Sequence, residues 1–187
     1  MNSSVSRWLR RTAPLVLAAT AVGLYFALSA GAQNGGPDNG EGSRIRIGYE
    51  LAPVPLNIQG LDPALVGLGA YYLNAQIGCT DCHTWPNFAP GGNPFLGQPE
   101  QINTADYLGG GRPFPGGIVS RNITPDPVTG LPAGLTLDEF MNVMHTGADP
   151  DDPHRLLQVM PWPEFRNMRD RDLMAIYEYL CAIPSVP

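Results

Sequence analysis

Lysine is missing from all 187 residues, and charge of either sign is scarce: eleven arginines and seventeen Asp or Glu make up 15% of the chain. Phosphate contacts are built from clustered Lys and Arg, so a nucleic-acid partner is disfavoured. Cysteine is also sparse, with the close pair Cys79 and Cys82 and a distant Cys181, too few for a disulfide-stapled scaffold. The length excludes a large multidomain enzyme and suits one ordinary domain. What the chain has in quantity is Gly (22) and Pro (20), alongside 43% hydrophobic residues. This is the composition of a folded domain rich in loops, held by something other than disulfides.

The amino terminus has its own pattern. Arg7, Arg10 and Arg11 precede an uncharged apolar run over 13–28, followed by the small residues Ser29 to Ala32. That is an export signal, and Ala30-Gly31-Ala32 fits a cleavage site that would leave Gln33 first. The run is also long enough to stay as a membrane anchor. Residues 1–32 are therefore expected to be a Sec signal peptide or an anchor through 13–32, with the remainder in the periplasm. Without three of its eleven arginines, the exported part sets eight against seventeen acids. Electrostatic docking should then be to a basic partner.

From Gln33 to Ser43 the chain reads as a flexible tether, and from Arg44 to Gly60 as an extended segment in which Ile45 and Ile47 alternate with arginine. Residues 61–187 form the domain proper. Helical periodicity begins at the cap Asp62 and runs through Leu65, Leu68, Tyr72 and Leu73 to Gly78. A second helix starts at the capping box Thr136/Glu139 and ends at Gly147. A third runs from near Asp170 to before Pro184. The expected fold is all-α, with about three main helices joined by long Gly/Pro-rich loops.

The decisive motif is Cys79-Thr80-Asp81-Cys82-His83, the C-x-x-C-H pattern of covalent haem attachment. Two thiols three positions apart on a helical turn can reach the two vinyl groups on one porphyrin edge, and the adjoining imidazole is directed at the iron. A redox dithiol or half of a zinc site is the alternative, but the sequence has no second ligand pair to complete it. A low-spin electron carrier needs a sixth ligand, and thioether sulfur favours ferrous iron. Met141 and Met144 sit at core spacing inside the second helix, and Met168 has little loop before the third. Met160, in Val159-Met160-Pro161-Trp162-Pro163, lies on a proline-stiffened strap and is the expected ligand. His145 and His154 are weaker candidates, at a helix end and in an acidic loop.

With these stretches in view, the chain resembles the class I c-type cytochromes, in particular the exported monohaem type and the haem modules of periplasmic dehydrogenases. The resemblance rests on 66–73, Cys79 to Thr84, Asn122-Ile123-Thr124-Pro125-Asp126, Met160-Pro161-Trp162 and 172–180. It implies one haem c bound at Cys79 and Cys82 with His83 and Met160 on the iron. It implies a crossing of first and last helices at Gly69, Tyr72 packed on the last helix, and a proline carbonyl, best placed at Pro94, orienting His83. It departs from the family at Arg169, where Ser or Thr usually caps the closing helix; Asp170 is the substitute. A pocket of Leu68, Trp85, Phe95, Phe114 and Trp162 is expected from apolarity, Arg112 or Arg121 is a candidate for the haem propionates, Asp149, Asp151 and Asp152 read as a solvated acidic loop, and Cys181 as a buried free thiol. The implied function is that of a periplasmic electron carrier, not an enzyme, working between a dehydrogenase-type donor and a respiratory acceptor. Two alternatives stay open: a haem enzyme or gas sensor with a labile distal site, and a haem subunit of a larger dehydrogenase.

Overall fold

The structure, a computed structural model, describes residues 40–187, so the signal or anchor reading of 1–32 and the tether over 33–39 lie outside the described residues. The first described element corrects the sequence reading. Residues Glu41–Leu51 form a helix, α1, where the end of the tether, up to Ser43, and an extended segment from Arg44 were expected. Alternation of Ile45 and Ile47 with arginine mimics a strand, but the tertiary neighbour decides. Gly48 is buried against the next helix, where an added Cβ would stand 1.9 Å from the Gly67 carbonyl oxygen. Only residues one helical turn apart can present Ile45 and Gly48 to the same partner. Arg46 and Glu50, paired at 2.7 Å on consecutive turns, line the exposed side.

Helix α2, Pro63–Tyr71, is capped by Asp62, whose side chain accepts from the Ala64 amide at 2.8 Å, with Pro63 in the first turn. It continues as a π-helical turn, Tyr72–Gln76, before the short α3, Cys79–His83. Between 84 and 134 the chain has only short pieces: the two-residue strands β1, Pro113–Phe114, and β2, Ile118–Val119, and isolated tight turns. Helix α4, Leu137–Thr146, carries the expected capping box and ends at Gly147. A small hairpin of β3, Ala148–Asp149, and β4, Asp152–Leu156, leads to the one-turn α5, Trp162–Phe165, and the closing α6, Asp170–Ala182. The described part is thus mainly helical, the all-α architecture expected.

The core lies where α2 and α6 cross. Val66, Leu68 and Ala70 from α2 and Leu73 from the π-helical turn meet Leu173, Ala175, Ile176 and Leu180 from α6, all buried. Gly69 makes the crossing close: a Cβ there would stand 1.9 Å from the Ala175 carbonyl oxygen. Polar groups inside this core are paired. The Tyr72 hydroxyl donates to Asp172 at 2.9 Å, and Arg169 reaches the same carboxylate at 2.8 and 2.9 Å. Tyr107 and Tyr179 share a 2.9 Å hydrogen bond, with Tyr107 also donating to Asn74 at 2.6 Å. Arg169 stands at the start of α6 without a side-chain cap, so Asp170 does not substitute as cap. Asp170 is the first helical residue and pairs with His145 at 3.2 Å. Acids at 170 and 172 favour that helix end through the positive pole of its dipole.

Candidate functional site

The C-x-x-C-H segment is a helix because its entry permits one. Gly78 takes a left-handed turn (φ 62°), a conformation glycine adopts without steric penalty, and the chain leaves at Thr84 in an extended conformation. One helical turn sets Cys79 and Cys82 on the same side. Both are free thiols, partly buried. Burial pushes the Cys79 thiol up to about 12, and neighbouring Cys82 adds to the effect. Thr84, wholly buried, fixes the exit by accepting from the Leu108 amide at 3.0 Å.

His83 is oriented by a main-chain group. Its Nδ1 lies 2.8 Å from the Arg121 carbonyl oxygen, which can only accept, so Nδ1 carries the proton. Nε2 is then the bare nitrogen, the form a metal requires. Burial lowers the imidazole pKa and the carbonyl bond opposes it, with the net shift downward. This corrects the expected role of Pro94, whose carbonyl is turned into its own tight turn and accepts from the Gly97 amide at 2.9 Å.

Met160 sits between two three-residue turns. The Met160 amide donates to the Gln158 carbonyl at 2.9 Å around Val159, and the Trp162 amide donates to the Met160 carbonyl at 2.9 Å around Pro161. The second is the common inverse form; Pro161 has φ −80° and ψ 50°. The first has a positive φ (71°) at Val159, a strained conformation for a β-branched residue. The strap is braced from below. Trp162 lies flat on Gly147, where a Cβ would stand 2.3 Å from the ring, and its Nε1–H donates to the Leu157 carbonyl at 3.3 Å.

Cys79, Cys82, His83 and Met160, the four residues singled out in the sequence, line one cavity of about 510 Å³, within the usual ligand-pocket range of roughly 300–1,000 Å³. Much of the remaining wall is apolar, including Leu73, Ile77, Phe114, Phe140, Met144 and Leu180. Among the described residues no cluster of three or more His, Cys, Asp or Glu side chains could hold a bare metal ion. The donor set is instead one nitrogen, one thioether and two adjacent thiols around an apolar space. That set fits a haem, in which the macrocycle supplies four ligands and the protein only the axial ones.

The chain is 32% identical over 146 residues to the cytochrome c subunit of a quinone-dependent alcohol dehydrogenase from Gluconobacter oxydans, covering 73% of this chain and 27% of that protein. It is 32% identical over 116 residues to the cytochrome c subunit of gluconate 2-dehydrogenase from Pantoea cypripedii, covering 62% and 22%. It is 33% identical over 132 residues to a nicotinate dehydrogenase subunit from Pseudomonas putida, covering 70% and 10%. The chain is a c-type cytochrome haem module. It spans about a quarter or less of the length of each of these curated relatives. No protein-family model and no solved structure matches it.

Several residues of the cytochrome lie elsewhere than expected. Of the five apolar residues assigned to the pocket, Phe114 alone lines it. Leu68 is buried in the helix crossing, Trp162 packs on Gly147, and Trp85 and Phe95 line a separate outer groove, Phe95 being 88% exposed. Arg112 stacks over the rings of Trp85 and Phe114 at 5.4 and 5.5 Å and donates to the Asp81 carbonyl. Asp149 is no solvated residue: it is 4% exposed and bracketed by Arg121 and Arg155, while Asp151 and Asp152 are exposed. Met144 lines the cavity from α4, but Met141 and Met168 only pack against the core. His154 is exposed, and Cys181 is only partly buried, its thiol raised to about 11 by burial. The contribution of Arg121 was legible only as a charge in the sequence, because a main-chain carbonyl carries no residue signature.

Proposed function

We propose that this cytochrome holds one haem c, joined by thioether bonds to Cys79 and Cys82 and ligated by His83 and Met160, and that it serves as a haem subunit passing single electrons from a dehydrogenase to a respiratory acceptor in the periplasm. The observation that carries the reading is the convergence of those four side chains on one apolar cavity. When bound, haem supplies a one-electron ferrous/ferric couple. The protein supplies the rest. His83 offers a neutral imidazole of fixed tautomer, held through Arg121. The braced strap presents Met160 without needing to reorganise. Phe114, Phe140, Leu73 and Leu180 exclude water, which disfavours the more highly charged ferric state and so raises the potential. The cytochrome thus transfers electrons and makes no bonds itself.

The relatives are named as subunits of alcohol, gluconate and nicotinate dehydrogenases, which supports a subunit over a freely diffusing carrier. Co-purification with a large catalytic subunit tests that choice. The charged-then-apolar run over 7–32 supports periplasmic export or attachment to the inner membrane, and the excess of acids supports a basic docking partner. Among the described residues no helix is long and apolar enough to cross a membrane.

The axial assignment is tested by reduced-minus-oxidised spectra of wild type, Met160→Ala and Met144→Leu made in a maturation-competent host, with haem staining after denaturation. Covalent pigment is expected in all three, and the thioether-to-iron band is lost only in Met160→Ala. An unchanged band in that variant removes Met160 from the iron. Rapid carbon monoxide binding by the native ferrous protein would point instead to an open distal site.

A further inference from the structure

The cavity wall carries a polar cluster, Arg121, Asp149 and Arg155, joined from outside by the exposed Asp151. Arg121 Nη2 reaches Asp149 Oδ1 at 2.8 Å and Asp151 Oδ2 at 2.5 Å. Asp149 is also gripped by Arg155, through Nε at 3.1 Å and Nη2 at 2.6 Å, and accepts from the Asp151 amide at 3.0 Å. Arg121 is the residue whose carbonyl receives the His83 Nδ1–H. The other side of that carbonyl is pinned too. The Gly110 amide donates to the His83 carbonyl at 2.6 Å, and Gly110 packs so closely on Arg121 that a Cβ would stand 2.4 Å from its carbonyl carbon. Arg121 is thus fixed at its main chain by Gly110 and at its side-chain end by a buried carboxylate. The same carboxylate belongs to the β3–β4 hairpin, which runs on from Arg155 to the Met160 strap five residues later.

We propose that the Arg121 side chain is a positioning group for both axial ligands: its clamp by Asp149 and Asp151 ties the carbonyl that holds His83 to the hairpin from which the chain runs on to the Met160 strap. The inference rests on the assignment of His83 and Met160 to the iron. Its physical basis is that one guanidinium nitrogen, Nη2, donates to both carboxylates in directional, charge-assisted bonds. Asp149 is buried and also held by Arg155 at two atoms, so it is a fixed anchor for the Arg121 guanidinium.

The test uses the haem-loaded, reduced protein and proton NMR of the His83 Nδ1–H. Losing a clamp of charge-assisted bonds should speed exchange of that proton by about tenfold or more in Arg121→Gln. Asp149→Asn should act in the same direction by a smaller factor, since Asp151 still holds the guanidinium. Arg121→Lys, which keeps a point charge but loses the planar, directional guanidinium, should lie between wild type and Arg121→Gln. The thioether-to-iron band should weaken in the same order. Arg171→Gln, which breaks the pair with Glu41, should leave both signals unchanged. Exchange within twofold of wild type in Arg121→Gln and Asp149→Asn, with covalent pigment retained, overturns the positioning role alone. If Arg121→Gln does not fold, Asp149→Asn decides by itself. A colourless wild-type protein overturns the haem assignment and this inference together.

Discussion

Gly147 is where the fold meets the Met160 strap, and replacing it with alanine separates two physical costs. Its φ of +71° lies in the left-handed region, and a Cβ would stand 2.3–2.5 Å from three atoms of the Trp162 ring. Gly130 has nearly the same φ, +72°, with nothing within 4 Å of the added carbon. Alanine at either position meets a left-handed penalty of about 1–2 kcal/mol, partly offset by the smaller entropy of the unfolded chain. That contribution is common to both variants and cancels in their difference. What remains is forced overpacking against a ring that cannot swing away, since its Nε1–H is bonded to Leu157 and its backbone belongs to the strap. Overpacking costs about 1–3 kcal/mol, so Gly147→Ala should melt roughly 2–12 °C below Gly130→Ala. Thermal unfolding of the haem-loaded proteins at matched pH measures it. Gly147→Ala should also lose intensity in the thioether-to-iron band, because Met160 is two residues from the displaced ring, while Gly130→Ala should not. Equal melting temperatures and equal bands would refute the claim that Trp162 braces the Met160 strap.

Three more outcomes are expected. Val159→Gly removes an exposed apolar side chain yet relieves a strained φ, a penalty of about 1–3 kcal/mol set against about 0.4–1 kcal/mol of added unfolded-state entropy. Its urea midpoint should therefore match or exceed wild type, and a clear loss of stability would deny the strain. For Asp172, burial opposes ionisation, but hydrogen bonds from Arg169 and Tyr72 and the charges of Arg169 and Arg44 outweigh it and hold the carboxyl below its usual range. A depressed folded pKa means stability present above the ordinary carboxylate value of about 3.9 and lost as pH falls below it. Urea titrations from pH 6 to 3 should show this loss in wild type and less of it in Asp172→Asn; parallel curves would contradict it. Finally, association with a basic redox partner should slow as ionic strength rises, and rates that stay flat or increase would exclude electrostatic attraction.

The main helices were legible because each carries local signals that also agree with its tertiary role. Asp62 with Pro63 begins α2, the Thr136/Glu139 box begins α4, and Gly147 ends it. α1 was illegible because its signals conflict. Ile45 and Ile47 alternate as in a strand, and only the apposition of Gly48 to Gly67 makes the helical turn the better solution. The loops were harder still. Aromatic character alone placed Trp85 and Phe95 in the pocket, but burial is a property of the closed fold, and both ended on an outer groove.

The four site side chains belong to the first kind of knowledge. Thiols, imidazole and thioether differ chemically from every other residue, so spacing along the chain was enough to propose Cys79, Cys82, His83 and Met160, which the fold brings to one cavity. The parts that hold them belong to the second. A carbonyl at Arg121, a bare glycine face beneath Trp162 and a carboxylate shared by two arginines draw on groups common to all chains or on side chains far apart in sequence. Such groups acquire a role only when folding brings them within hydrogen-bond or van der Waals distance.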